Sequence, residues 1–245
     1  QTKPFSDFGL SEPVMQAIDD IGYEEATPIQ AVTIPLLIGG RDVIGQSQTG
    51  TGKTAAFAIP AIERLIADGE KGVQVLILCP TRELAIQACE EISRLAACTG
   101  WIRCAAIYGG QDIDRQIRLL RSGVQIVVGT PGRVMDHMRR RTLKLDDVKM
   151  AILDEADEML SMGFREDIDT ILADVPRERQ TVLFSATMSQ EIIEITKLYM
   201  RNPEVIRIAR KELTVEGIEQ YYYLIPPSLK VEALSRLMDV YHPAP

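Results

Sequence analysis

The stretch AILDEADEML, from Ala151 to Leu160, sets four carboxylates, Asp154, Glu155, Asp157 and Glu158, directly after an apolar run. Acids so placed have two uses. They suit the first turn of a helix, whose N-terminus carries partial positive charge, or they hold a metal ion and move a proton. A second stretch bears on the choice. QSQTGTGKT, Gln46 to Thr54, follows the short apolar run DVIG and precedes a helical pattern. Its last seven positions match the phosphate-binding loop. Gly50 and Gly52 permit close backbone approach, Lys53 can reach β- and γ-phosphates, and Thr54 offers a hydroxyl to Mg²⁺. The helix that follows would turn its N-terminus to the same negative charge. Ser47 stands where the pattern has its first glycine. An acid at a strand tip beside such a loop would hold Mg²⁺, and a neighbouring carboxylate would orient or deprotonate water. These residues point to nucleotide hydrolysis.

Groups so far apart in the chain meet only if the elements between them bring them together. Apolar, β-branched-rich runs start near Asp42, Val73, Cys104, Val124, Met150, Thr181 and Glu204. Between them lie segments such as AAFAIPAIERLIA and RELAIQACEEISRLAA, with apolar residues at three- and four-residue spacing. Continuous rather than alternating apolar strands, separated by helices, predict an α/β fold: a parallel sheet covered on both faces. Ligands in such folds sit outside the carboxyl ends of the strands, so the loops that follow strands should carry the chemistry.

The chain has 245 residues, 46% hydrophobic and 25% charged, as expected of a folded protein. No apolar run approaches the roughly 18 residues of a membrane span, and the opening QTKPFSDF does not read as a signal peptide. Cys79, Cys89, Cys98 and Cys104 lack CxxC spacing and fall in periodic apolar segments, so they read as small buried hydrophobes in a reducing cytoplasm. Two histidines, His137 and His242, leave little for imidazole catalysis. The net charge of −8 argues by itself against an electrostatic nucleic-acid binder.

Further motifs are ordered along the chain: GYEEATPIQ (Gly22 to Gln30), PTRELA (Pro80 to Ala85), the pair Gly109 and Gly110, TPGR (Thr130 to Arg133), DEAD (Asp154 to Asp157) and SAT (Ser185 to Thr187). Together with the phosphate loop they resemble the first half of a DEAD-box RNA helicase over nearly the whole chain. The connecting text, such as GFREDIDTIL, is most similar to the bacterial cold-shock and RNA-turnover branch. Ser47 departs from the alanine usual in that family. The resemblance implies a RecA-like domain that takes ATP and Mg²⁺. Gln30 and Thr27 would belong to the adenine-reading Q motif, with Tyr23 stacking on the base and Phe5 as the upstream aromatic. Ser47, Gln48, Thr49, Gly50, Thr51, Gly52, Lys53 and Thr54 would wrap the phosphates. Asp154 and Thr54 would hold the metal, Glu155 would be the general base, and Asp157 would link to Ser185 and Thr187. The bland alternative for Gln30 is a helix-capping or surface amide.

The resemblance also answers the charge objection. RNA would be held by its sugar-phosphate backbone at Pro80, Thr81, Arg82, Gly109, Gly110, Thr130, Gly132 and Arg133, many of them through N–H groups, which needs few cations and gives little sequence preference. The basic run Met138 to Lys144 reads as a solvated helix C-terminus or as one more RNA contact.

Residues 1–209 are expected to form the ATP-binding domain, 210–217 a linker, and 218–245 the truncated start of a second RecA-like domain, with a strand over IEQYYYLI and then one helix. In the family that second domain supplies arginine fingers and another RNA wall. RNA-decay or ribosome-assembly factors are further implied partners. Two rival readings remain at this stage, a non-catalytic nucleotide or RNA adaptor and a helicase-like motor acting on DNA.

Overall fold

The computed structural model describes residues 3–47, 50–69, 72–208 and 221–241. The chain divides into two compact units, Gln1–Ala209 and Arg210–Pro245. The first opens with a small antiparallel ribbon, β1 (Lys3–Pro4) with β2 (Glu25–Ala26), around helix α1 (Glu12–Ile21). Helix α2 (Pro28–Ile38) follows. Then strands and helices alternate: β3 (Val43–Gln46), α3 (Lys53–Asp68), β4 (Val75–Leu78), α4 (Arg82–Leu95), β5 (Cys104–Ile107), α5 (Ile113–Arg121), β6 (Ile126–Gly129) and α6 (Pro131–Arg139). The series continues with β7 (Met150–Leu153), α7 (Ala156–Ser161), α8 (Arg165–Asp174), β8 (Gln180–Ser185), α9 (Gln190–Tyr199) and β9 (Glu204–Arg207).

The seven apolar runs expected as strands in the first unit are strands, and they pair in parallel in the order β5-β6-β4-β7-β8-β3-β9. Their period of two explains why the runs are continuously apolar. On β4, Val75 and Ile77 enter one core while Leu76 and Leu78 enter the other. On β8, Val182 and Phe184 face the first core and Leu183 the second. Helices α1 to α4 contribute to the first core, and α6 to α9 to the second. Both faces of the sheet are therefore covered.

Close packing dictates one glycine in the sheet. A Cβ on Gly45 would lie 2.4 Å from the Phe184 ring, which packs on Phe57 with centroids 5.7 Å apart. At the opposite end of the strands the buried Asp42 ties three of them together. Its carboxylate accepts from the Thr181 and Arg201 N–H groups at 2.9 and 2.6 Å, and its carbonyl accepts from Glu204 N.

The cysteines depart in part from expectation. Cys79 is buried, but Cys89 and Cys104 are half-buried and Cys98 is exposed, in the turn after α4 where the helical period has ended. The basic run closes α6: Arg139 lies in its last turn, and Arg140, the cap residue, pairs with Asp136 at 2.9 Å. No described helix is long and apolar enough to cross a membrane.

Of the second unit, Pro227–Leu229 form a 3-10 turn leading into α10 (Lys230–Tyr241), the helix expected there. The expected strand fares differently. Residues 221–225 form no strand, since a strand exists only through its ladder to a neighbour, and 218–220 lie outside the described residues. The expected linker lies outside the described residues.

Candidate nucleotide and RNA sites

Sheet order decides which loops meet. β8 lies between β3 and β7, so the tip of β3, where the phosphate loop begins, is one strand removed from the tip of β7, where Asp154 begins. Ser47 N donates to Ser185 O at 3.2 Å, continuing the β3–β8 ladder into the loop, and Asp154 N donates to Leu78 O at 2.9 Å. Lys53, the first residue of α3, is 5% exposed. Its Nζ donates to Glu155 Oε1 at 2.5 Å and lies 3.9 Å from Asp154 Oδ1.

Two adjacent acids reach one ammonium because Glu155 adopts φ 52° and ψ 52°, a left-handed conformation costing a non-glycine residue about 1–2 kcal/mol. Such strain persists where surrounding structure over-determines it, as at functional sites. Burial pushes the Asp154 carboxyl up to about 6, against the pull of Lys53 and with the push of Glu155. Asp154 Oδ1 is buried without a hydrogen-bond partner. That acceptor fits a hard cation. Mg²⁺ is usually held by one or two carboxylates together with phosphate oxygens. Among the described residues no group of three or more His, Cys, Asp or Glu could hold an ion by itself.

The helix-start reading of the acids is true only of the later two. Asp157 and Glu158 lie in the first turn of α7, while Asp154 precedes it. Asp157 Oδ2 accepts from both N and Oγ1 of Thr187 at 2.9 Å. Burial raises its pKa, but the hydrogen bonds from Thr187 and Ser185 outweigh it and leave the carboxyl below its ordinary value. Ser185 Oγ in turn donates to Thr187 O at 2.6 Å. The SAT segment is thus bonded to α7 across adjacent strand tips.

Residues 22 to 30 bind the other side of the phosphate loop. Gln30 Oε1 accepts from Thr27 N at 2.8 Å, completing a capping box at the start of α2. Its Nε2 donates to Gly52 O at 3.0 Å, and Thr27 Oγ1 donates to Thr51 O at 2.9 Å. The helix-capping alternative for Gln30 is therefore present, and the same amide braces the loop. Gly52 is required here: φ is +85°, and a Cβ would lie 2.6 Å from Gln30 Nε2. Gly50 also has positive φ, and Thr51 Oγ1 donates to Ser47 Oγ at 3.3 Å. Thr54 is half-buried in the first turn of α3. Phe5 is a core residue, 2% exposed and stacked on Tyr23 at 6.1 Å. Its ring offers no free face in this arrangement, whereas Tyr23 is half-buried, with its hydroxyl on Glu91 at 3.2 Å. Gln48 and Thr49 lie outside the described residues.

The expected RNA-binding residues gather at the tips of β4, β5 and β6, neighbours in the sheet. Pro80 is buried, and Thr81 caps α4 by accepting from Leu84 N. Arg82 lies over the Tyr108 ring at 5.2 Å. Gly109 and Gly110 are exposed, Gly110 with φ +82°. Thr130 is the N-cap of α6, with Gly132 exposed in the first turn. Arg133 points inward: its Nη1 donates to Gln111 O at 3.0 Å and to Gln116 Oε1 at 2.9 Å.

Gln116 was not singled out by sequence reasoning. It is 1% exposed, and its amide is fully engaged. Oε1 accepts from Arg133 and from His137 Nε2 at 3.0 Å, while Nε2 donates to Tyr108 O at 3.0 Å and to Gln111 Oε1 at 2.8 Å. With Nε2–H donating, His137 Nδ1 accepts from the Thr142 hydroxyl at 2.8 Å. This network fixes the Tyr108–Gln111 loop to α6. One sign of it was legible: Gln116 occupies the apolar phase Ile113–Gln116–Leu120, where a polar side chain must be buried with partners.

A parallel sheet with a phosphate loop, its lysine and strand-end carboxylates is the frame of a phosphate-loop α/β domain. The family model described as DEAD/DEAH box helicase matches residues 27–195. The chain belongs to that family. It is 55% identical over 239 residues to the ATP-dependent RNA helicase CshA of Listeria monocytogenes, covering 98% of this chain and 46% of that protein. It is 52% identical to DEAD-box ATP-dependent RNA helicase CshA of Geobacillus kaustophilus, covering 98% and 51%. The chain thus spans about half the length of the curated relatives it matches. A crystal structure of a DEAD box protein from the hyperthermophile Methanococcus jannaschii superposes with a TM-score of 0.79 at 42% identity, covering 97% of this chain and 64% of that one. A hypothetical ATP-dependent RNA helicase from Sulfolobus tokodaii gives 0.74 at 38%, covering 81% and 57%. The expected fold and bacterial branch agree with these relatives.

Proposed function

We propose that this chain is the ATP- and RNA-binding half of an RNA helicase that couples ATP hydrolysis to local strand separation. The observation that carries the reading is the contact of the phosphate-loop Lys53 with both Asp154 and Glu155 at the carboxyl ends of the strands. For Lys53 to reach a phosphate, its pair with Glu155 must open, which frees that carboxylate to take a proton from water. Asp154 and Thr54 would hold Mg²⁺, which on binding neutralises charge on the phosphates. Gln30 sits beside the loop and would exchange its present bonds for adenine contacts, with Tyr23 stacking on the base. The Asp157–Thr187 bonds offer a path from the α7 acids to the tip of β8.

RNA would lie across the tips of β4, β5 and β6, on backbone groups of Thr81, Gly109, Gly110, Thr130 and Gly132, with Arg82 and Arg133 adding charge. A second RecA-like domain of the same protein would complete both sites. An arginine finger is worth on the order of 10³ to 10⁵ in rate, so the 245-residue chain alone should hydrolyse ATP slowly and unwind nothing. The free cysteines fit a reducing cytoplasm.

The test is Glu155→Gln in the full-length protein, with phosphate release measured with and without RNA. Loss of a general base predicts a fall of about 10² to 10⁴ in RNA-stimulated turnover with nucleotide binding retained. Turnover at the wild-type rate would reduce the protein to an adaptor and overturn the reading.

A further inference from the structure

Between α4 and α5, over the edge strand β5, runs a groove of about 1170 Å³. Cys104 and Ala106 of β5 form its floor, with Ile86 of α4 and Leu119 of α5 on its walls. Arg94, Arg115 and Arg118 line its rim, and all three are exposed. Glu90 is the one acid among the lining residues. Among the described residues, none of these three guanidinium groups has an ion-pair or hydrogen-bond partner, whereas Arg41, Arg140 and Arg165 each pair with a carboxylate. In a chain of net charge −8, unpaired arginines concentrated along one apolar-floored groove mark a place for an anion with apolar faces.

The groove is continuous with the candidate RNA surface. Its upper end is lined by Tyr108 and Gln111, which flank Gly109 and Gly110, and Arg82 lies on the Tyr108 ring. Below that end it follows α4 from Ile86 to Arg94, about 12 Å at 1.5 Å per residue.

We propose that this groove carries the continuation of the bound RNA strand, with Arg94, Arg115 and Arg118 on its phosphates and the floor against base or ribose faces. The proposal rests on the reading of the loops after β4, β5 and β6 as the RNA surface. Non-specific single-strand sites combine a cationic track with surfaces on which bases lie. Glu90 opposes the phosphates and sets the strand toward the α5 side. An acidic peptide would share the charge but not the continuity with the Tyr108–Gln111 loop.

The experiment measures binding of fluorescent oligouridylates of increasing length to the full-length protein across a salt series. Wild-type protein should show a steeper salt dependence for long RNA than for short. The triple change Arg94→Gln, Arg115→Gln and Arg118→Gln should lower the long-RNA slope by about 2, at ~0.7 per phosphate contact, and return it to that of short RNA. Arg115→Lys with Arg118→Lys keeps the charge and should keep the slope. An unchanged thermal midpoint guards against misfolding, and the single Arg118→Gln, with a smaller fall in slope, serves should the triple variant melt early. Long-RNA binding by the triple variant equal to wild type overturns the proposal and leaves the loop surface intact. Loss of polyglutamate binding with RNA unaffected overturns it in favour of a peptide. A wild-type protein that binds nucleotide but RNA of no length overturns the RNA reading itself, and the groove with it.

Discussion

The tips of β3, β8 and β7 and the tips of β4, β6 and β5 belong to one sheet, yet they are built on opposite electrostatic plans. On the first side charged groups are buried against each other: Lys53, Asp154 and Glu155 are each under 10% exposed. On the second side the buried hub is a neutral amide and imidazole, Gln116 with His137, whose one charged partner is the half-buried Arg133, and Arg82 stands in solvent. A buried charge cluster holds its energy until a ligand rearranges it, which suits a site that must respond to a triphosphate and to its loss. A network centred on one amide with all four of its bonds made holds one geometry. It suits a surface that presents backbone groups to a repetitive polymer. On the proposed reading the contrast accounts for an RNA surface on an acidic chain, since N–H groups and a few arginines would replace a cationic field.

The largest effect that separates the two sides should come from Lys53→Met. Removing one partner of a buried pair leaves unpaired charge and costs about 3–5 kcal/mol. Denaturant unfolding should show that loss, and adding Glu155→Gln should restore part of it. If the double variant is no more stable than the single, the two groups are not energetically coupled. Gln116→Leu should act on the other side. Arg133 keeps its bond to Gln111 O, so the change strands chiefly the buried His137 Nε2–H, at roughly 1–3 kcal/mol. RNA binding should weaken while adenine-nucleotide binding, measured calorimetrically, stays near wild type. Equal losses of both would show that the two sides are not independent.

Thr81→Ala removes the α4 cap bond to Leu84 N and should cost about 1 kcal/mol, with the loss seen in denaturant midpoint and RNA affinity but not in nucleotide affinity. The smallest effect concerns pH. Burial, with help from Arg133 and against Asp136, holds His137 below its ordinary pKa. The unfolded chain therefore binds the proton more readily than the folded one. Stability should be full above the unfolded imidazole range of ~6.5 and decline as pH falls through it. His137→Gln should flatten that part of the urea-stability profile; an unchanged slope would place the titration elsewhere.

How much of this was legible depended on the kind of interaction. Asp154, Lys53 and the seven strands were readable because a strand announces itself by local apolar content and a phosphate loop by glycine spacing. Gln116 and His137 lie 21 residues apart on different helices, and a lone buried amide has no spacing rule; only its phase on α5 gave a sign. Gln30 shows the intermediate case. Its motif was recognised, but its bond to Gly52 O depends on α2 packing beside the loop, which no local pattern encodes. The strand expected over residues 218–225 is absent from its described part, 221–225, for the converse reason: apolar content proposes a strand, and only a neighbour makes one.

By itself the sequence determined the identity of the elements and marked the candidate phosphate loop and the candidate metal-holding acids, because these follow from side-chain chemistry and short-range periodicity. The tertiary structure alone decided which tips are adjacent. Placing β8 between β3 and β7 brings Lys53 onto Asp154 and Glu155, and placing β6 between β4 and β5 groups the residues of the candidate RNA surface. Strand order is fixed by the packing of helices on both faces, a sum of many long-range contacts that no single segment carries.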